Sequence, residues 1–307
     1  MKWKYYCKIL LILSCLGIVF CKNQSQGVSN EIVIGEYGSL TGTTATFGIS
    51  TRNGIDMVID DVNKSGGLLG KRIRVVVEDD QGKPEEAQMV VTKLINKDRV
   101  VAVLGEVASS RSIAGGAVCQ QNRIPMITPS STNPKVTQIG DYIFRVCFTD
   151  RFQGHVMATF AAQTLKTKNV AILRDIKNDY SVGFADVFRD NFQKMGGNIP
   201  ADESYSEGDT DFSAQLTVIK SKNPEAILVP GYYTEVGLIA RQARRLGIRV
   251  PLLGGDGWDS PRLVQIGGDS LNGCYFANHY SIEDPNADIQ RFISNYRQRF
   301  HETPDAL

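Results

Sequence analysis

A chain of 307 residues, 42% of them hydrophobic, is long enough for two ordinary domains, because single cores stop growing near about 250 to 300 residues. Its 34 basic residues are matched by 33 acidic ones, so nothing in the balance points to a nucleic-acid partner or to an acidic surface as target.

The first segment stands apart. Lys2, Lys4 and Lys8 lead into ILLILSCLGIVF, twelve residues without a charge, followed by Cys21 and the polar KNQSQGVSN. A basic stretch, a short apolar stretch and a polar spacer form the layout of a secretory signal. Twelve apolar residues fall short of the roughly 20 that a membrane-spanning helix needs. Residues 1–21 are therefore expected to be a signal peptide and 22–30 a tether. Cleavage ahead of Cys21 would remove three Lys and no acid, leaving 31 basic against 33 acidic residues. Beyond Cys21 only Cys119, Cys147 and Cys274 remain, too widely spaced for a zinc pattern or a disulfide framework. Free thiols are the expectation, with a Cys147–Cys274 pair as the alternative.

From EIVIGEYG onward the chain alternates strand-like and amphipathic runs. The first strand precedes a helix over 48–63, whose Ile55, Val58, Ile59 and Val62 recur at the spacing of a stripe lying on a core. The glycines of KSGGLLGK suit its termination. RIRVVVEDD is the second strand, and a helix opens at Pro84 with Ala87, Val91, Leu94 and Ile95 on one face. VVAVLG, a helix over 110–122 and IPMIT follow. After YIFRVCFTD a second series begins, with helices expected over 152–165, 182–195, 212–221 and 235–246. They alternate with the strand-like NVAILRD, ADESYSEGD, EAILVP, VPLLGGD and GCYFANHY. Two such series predict an α/β protein of two doubly wound parallel-sheet lobes joined by hinge strands. The expected lobes are 31–147, with 278–307 returning to it, and 148–277.

Ligands of open parallel sheets sit at the carboxyl ends of the strands. In the first lobe those loops are YGSLTGTTATFG, GEVASSRS and TPSSTNP, small and hydroxylated, with Ser109 or Ser110 where a helix begins. Helix amides with Ser or Thr hydroxyls can hold an anion, although a serine there is often simply an N-cap. The second lobe offers Tyr180, Tyr232, Tyr233 and Asp256 from DIKNDYSVG, PGYYTEVG and GGDGWDS. A lobe fit for a small anion, facing aromatic walls and one carboxylate, matches a zwitterionic amino acid. GxSxG, GxxxxGK[ST], HExxH and a strand-linked GxGxxG are all missing, and the three His are scattered, so no enzyme and no metal or other cofactor is expected.

The motifs GEYGSLTGTTATFG, DDVNKSGGLLGKRI, VVVEDDQGKPEEA, ITPSSTNPKVT, YIFRVCFTDRFQG and ARQARRLGI resemble those of type I periplasmic binding proteins, specifically the leucine/isoleucine/valine-binding family that feeds ABC importers. The resemblance runs from about Glu31 to the end. It implies closure of two lobes on a branched-chain or related small amino acid, which is then passed to membrane permease subunits. Matched position by position, it implies that Ser109 binds the ligand carboxylate and that the Ser130 carbonyl accepts from the ammonium. Thr132 would serve both groups, Tyr180 and Tyr232 would wall the pocket, Asp256 would pair with the ammonium, and Phe47 would flank the ligand side chain. Cys21 resembles the acylated cysteine of bacterial lipoproteins, with Phe20 departing from the usual small residue, and implies a lipid anchor in the cell envelope. The family's disulfide is missing, since Gly82 and Ala108 stand at the matching positions. Family members usually continue several dozen residues past the point where this sequence reads HETPDAL. The resemblance therefore implies either a shortened product or a second chain covering apolar surface. Two alternatives keep the fold: a sensory module of the same architecture, or a binder of amides, urea-like compounds or aromatic acids.

Overall fold

The structure is a computed structural model that describes residues 30–307. The expected signal segment and Cys21 lie outside the described residues. The first sheet runs through β1 (Glu31–Gly38), α1 (Ala45–Lys64), β2 (Arg72–Asp79), α2 (Pro84–Asn96), β3 (Val103–Leu104), α3 (Ser109–Asn122), β4 (Met126–Thr128), a single-turn α4 (Lys135–Gln138) and β5 (Ile143–Arg145). The second comprises α5 (Asp150–Thr159), which continues into a π-helical turn, then β6 (Val170–Asp175), α6 (Asp179–Lys194), β7 (Asp202–Tyr205), α7 (Ser213–Ser221) and β8 (Ala226–Leu228). It is completed by α8 (Tyr233–Arg245), β9 (Leu252–Gly254), a 3-10 turn over Asp256–Trp258, α9 (Pro261–Gly267) and β10 (Tyr275–Phe276). After β10 comes α10 (Ala287–Phe300), which packs on α1.

The strand orders are β2-β1-β3-β4-β5 and β10-β9-β8-β6-β7. The two sheets thus repeat one doubly wound pattern, with parallel ladders. Each reverses direction once, between β1 and β3 in the first and between β6 and β8 in the second. At such a reversal the loops leave on opposite faces of the sheet and a crevice opens at the strand ends. The two lobes carry their crevices at the loops that sequence patterning had singled out.

Burial explains the strand sequences. Ala226, Ile227, Leu228, Leu252 and Leu253 are inaccessible, because parallel strands covered by helices on both faces become continuous apolar runs. Helix α6 places Phe184, Phe188 and Phe192 four residues apart, so all three fall on one face and are fully buried against the second sheet. Each is worth about 1.5 to 3 kcal/mol of burial.

The expected stripe of α1 and several helix starts change, while the expectation of free thiols holds. In α1 the buried residues are Phe47 and Gly48, while Val58 is 61% exposed. The stripe of Ile55, Val58 and Ile59 instead lines an apolar groove shared with Phe292 and Tyr296 of α10. Polar contacts hold those helices together, Asn53 Nδ2 donating to the Tyr296 hydroxyl at 3.0 Å and Arg299 pairing with Asp60 at 2.6 Å. Cys147 and Cys274 are both free thiols. Cys274 lies within 3.3 Å of the Arg244 guanidinium, and burial pushes the Cys147 thiol up to about 12. Several helices also begin earlier than periodicity indicates. Asn178 caps α6 by accepting from the Tyr180 amide at 3.0 Å, which brings Tyr180 into the first helical turn.

Candidate functional site

The loops at the two reversals meet. Phe47, Ser109, Ser130, Thr132, Tyr180, Tyr232 and Asp256 all border one small cavity, with Val107, Gly257 and Leu307. Each of the seven is at most 5% exposed. The structure brings all seven residues together, although they come from six different loops.

On the first-lobe side the stretch MITPSSTNP divides its hydroxyls between two tasks. Thr128 Oγ1 donates to the Glu106 carbonyl at 2.6 Å, and Ser131 Oγ lies 2.9 Å from the Glu106 and Val107 carbonyls. These two residues tie the loop to the turn after β3. From β5, Arg145 donates to the carbonyls of Ser131 and Asn133 at 2.7 and 2.9 Å. With the loop pinned from both sides, Ser130 and Thr132 are left facing the cavity. Ser130 Oγ donates at 3.1 Å to the carbonyl of Leu307. Ser109 opens α3 but does not cap it, since Ala108 stands at the cap; its Oγ accepts from the Asn133 amide at 3.2 Å. The first amides of α3 have no intrahelical partner and carry the positive end of the helix dipole.

On the second-lobe side aromatic rings build the wall. Tyr180 and Tyr232 stack at 5.5 Å with 3° between planes, and Phe47 meets Tyr232 edge-on at 5.5 Å across the cleft. Burial raises both phenols well above their ordinary range, so they stay neutral and can donate or accept. The Gly257 amide donates to the Tyr180 hydroxyl oxygen at 3.3 Å. A Cβ at Gly257 would lie 2.8 Å from the Gly231 carbonyl and 2.9 Å from Tyr232, so only glycine lets the turn after β9 approach the rings so closely. That turn presents Asp256, which is not a helix cap; Ser260 caps α9. Asp256 Oδ1 is buried and has no hydrogen-bond partner among the described residues.

Sequence reasoning missed the residues that join the lobes. Arg111 is 2% exposed, yet its Nη2 reaches Glu207 at 2.8 Å across the cleft, its Nη1 donates to Thr44 at 3.1 Å, and its guanidinium lies over the Tyr232 ring. Asp179 accepts from Ser110 Oγ at 3.0 Å and pairs with Lys135 at 3.2 Å. Thr46 reaches Ser260 at 3.0 Å, and Thr234 donates to the Thr43 carbonyl at 2.7 Å. The two lobes are therefore in contact around the cavity. The signal for Arg111 was slight: a basic residue in the first turn of a helix, where the dipole disfavours it.

Behind Thr132 sits Asp150, fully buried, with its Oδ1 accepting from Gln153 at 2.8 Å. Burial, with the like charge of Asp256 adding to it, pushes its carboxyl up to about 7. Unfolded chains ionise an aspartate near pH 4, so the folded state loses stability as pH rises from there and the loss is complete above about 7. Asp150→Asn keeps an acceptor for Gln153 and removes the ionisation. It should stabilise the ligand-free protein by about 1 to 3 kcal/mol at pH 8 and by little at pH 4. Thermal melts at the two pH values check this, and an equal gain at both would contradict it. Among the described residues no cluster of His, Cys, Asp and Glu is arranged to hold a metal, and no helix is long and apolar enough to cross a membrane.

Comparison with known proteins places this geometry among relatives. A family model described as periplasmic binding protein matches residues 31–307. The Leu/Ile/Val-binding protein BraC3 of Rhizobium johnstonii is 34% identical over 249 residues, 81% of this chain and 67% of that protein. The Leu/Ile/Val-binding protein homolog 3 of Brucella melitensis is 33% identical over 270 residues, 88% of this chain and 73% of that one. Among solved structures, the leucine binding protein LivK of Thermotoga maritima superposes with a TM-score of 0.85 at 39% identity, over 90% of this chain and 78% of that one. The branched-chain amino acid transporter substrate binding protein LivJ of Streptococcus pneumoniae, solved with isoleucine, does so with the same TM-score at 36% identity, over 90% and 79%.

Proposed function

The chain belongs to the periplasmic binding protein family, and from that premise we propose that it is the extracytoplasmic substrate-binding protein of an ABC importer for branched-chain amino acids. Binding followed by release to permease subunits is the whole task, and no bond in the ligand is made or broken. The observation that carries the reading is a small cavity between two lobes. Its lining is divided among hydroxyls and helix amides, an unpartnered buried carboxylate oxygen, and aromatic rings.

A zwitterion fits that division. Ser109, Thr132 and the start of α3 take the α-carboxylate. Asp256 Oδ1 and the Ser130 carbonyl take the ammonium, and Phe47, Tyr180 and Tyr232 enclose an aliphatic side chain. The lobes, assigned as 31–147 with 278–307 and as 148–277, close together when a ligand bonds to both of them at once. The ligand then favours the closed population by its extra contacts there.

The reading is tested by thermal melts of the protein with leucine, isoleucine and valine in turn. A ligand at about 100 times its Kd should stabilise by roughly 2.7 kcal/mol. A shift with an amide or an aromatic acid, and none with the three amino acids, would replace the ligand assignment. Export is part of the same reading, with residues 1–21 as signal and Cys21 as the acylated position. Fatty-acid labelling that persists in Cys21→Ser would move the acylated position to another cysteine such as Cys15, and a wild type that takes up no label would refute the anchor.

A further inference from the structure

His279 lies just after β10, where the chain passes from the second sheet toward α10. Its Nε2 is 3.1 Å from Asp256 Oδ2, and 15% of its side chain is exposed against 5% for Asp256. The ring stacks on Phe148, centroids 4.1 Å apart and planes 23° apart. Phe148 belongs to the passage from β5 to α5, so the imidazole joins the two segments that connect the lobes, and its edge meets Asp256 of the turn after β9. Its backbone is held as well. The His279 amide donates to Asn278 Oδ1 at 2.9 Å, and Asn278 Nδ2 donates to Asp259 at 2.9 Å.

This makes the two oxygens of Asp256 unequal. Oδ2 is taken by the imidazole, while Oδ1 is buried without a partner at the cavity. Its backbone amide faces Gln153 Oε1 at 3.4 Å. Facing Asp256 are Asp150 from the start of α5, the Cys147 thiol from the passage between β5 and α5, and the Tyr180 phenol from α6, none of them a cation. His279 is the basic side chain within ion-pair distance of Asp256 among the described residues.

We propose that His279 is the positioning residue of the ammonium site, holding Asp256 by Oδ2 so that Oδ1 meets the ligand, and that protonation of its imidazole weakens capture of a zwitterionic amino acid. The proposal rests on the reading of Asp256 as ammonium partner. The sign follows from charge. With a neutral imidazole, one carboxylate faces one ammonium. A protonated imidazole sets a second cation on the same carboxylate, so bound ligand favours the neutral ring and affinity falls as pH falls.

Leucine binding measured by calorimetry at pH 8 and pH 5.5 tests this. The wild type should weaken about fivefold or more at the lower pH. H279L, which cannot donate, should lose about tenfold at pH 8. H279Q, which donates without ionising, should recover most of that loss and show no pH slope. Wild-type affinity in H279L, or an unchanged slope in H279Q, would overturn the proposal. Imidazole nitrogen shifts by NMR in the ligand-free protein separate this from the choice of ligand. The Nε2–H tautomer should dominate in the wild type and give way to a mixture in Asp256→Ala, and identical spectra would refute the contact even if leucine does not bind. If the tautomer changes as expected and no amino acid binds, the ligand assignment falls and the positioning contact stands.

Discussion

Asp256→Asn should weaken leucine binding by about 100-fold or more at pH 7.5 while the melting temperature of the ligand-free protein holds or rises slightly. The ammonium entering this cavity leaves water for a site enclosed by Phe47, Tyr180 and Tyr232, and among the described residues Asp256 is the one acidic side chain that borders the cavity. An unpaired buried charge costs on the order of 3 to 5 kcal/mol. Asparagine supplies an oxygen without the charge, so the Ser130 carbonyl and neutral dipoles must do the rest. The stability expectation has its own cause, since Oδ1 of the ligand-free carboxylate is buried without a partner and asparagine places no charge there. Calorimetry with leucine and with 4-methylpentanoate, the same molecule without its ammonium, separates charge from shape. The variant should lose its preference for leucine and bind the acid much as the wild type does. A loss below fivefold for leucine would remove Asp256 from the ammonium site.

Arg111→Met should cost about 3 to 5 kcal/mol of folding stability and also weaken ligand binding, because Arg111 serves the first lobe and the closed cleft together. Within the first lobe it stands 4.0 Å from Glu106, whose carboxyl is pushed up to about 8 by burial and then by Asp80. Arg111 is the cation that offsets those acids, and methionine fills its space without doing so. Across the cleft its bond to Glu207 exists only while the lobes touch. Glu207 is 32% exposed on its side chain and can return to water when they part, so Glu207→Gln should lower affinity severalfold at unchanged stability. Denaturant unfolding and leucine calorimetry on both variants and on the double variant check this. If the two substitutions weaken binding independently, Arg111 and Glu207 do not act as one latch.

Much of this molecule was legible before any coordinates. Alternation of apolar strands with amphipathic helices determined two parallel α/β lobes, because helices covering both faces of a sheet force continuous apolar strands and short polar loops. Loop chemistry pointed to the small hydroxylated loops of the first lobe, with Ser109 or Ser110 at a helix start, and to Tyr180, Tyr232 and Asp256, while the family resemblance singled out Ser130, Thr132 and Phe47. Periodicity misjudged α1, since a stripe at helical spacing states that a face is apolar and says nothing of what covers it; here Ile55, Val58 and Ile59 meet α10 across a groove rather than the sheet.

Tertiary structure decided what depends on two distant segments arriving together. In MITPSSTNP the four hydroxyl residues are chemically alike, and the positions of Glu106 and Arg145 give the physical reason why Thr128 and Ser131 hold the loop and leave Ser130 and Thr132 at the cavity. His279 reads in sequence as a solitary histidine beside a return strand. Its meaning comes from Asp256, 23 positions earlier, and Phe148, which the fold stacks against it. Local pattern carries secondary structure because backbone geometry is local. A cation such as Arg111, buried between lobes whose partner Glu207 lies 96 positions away, acquires its role only when the chain has closed on itself.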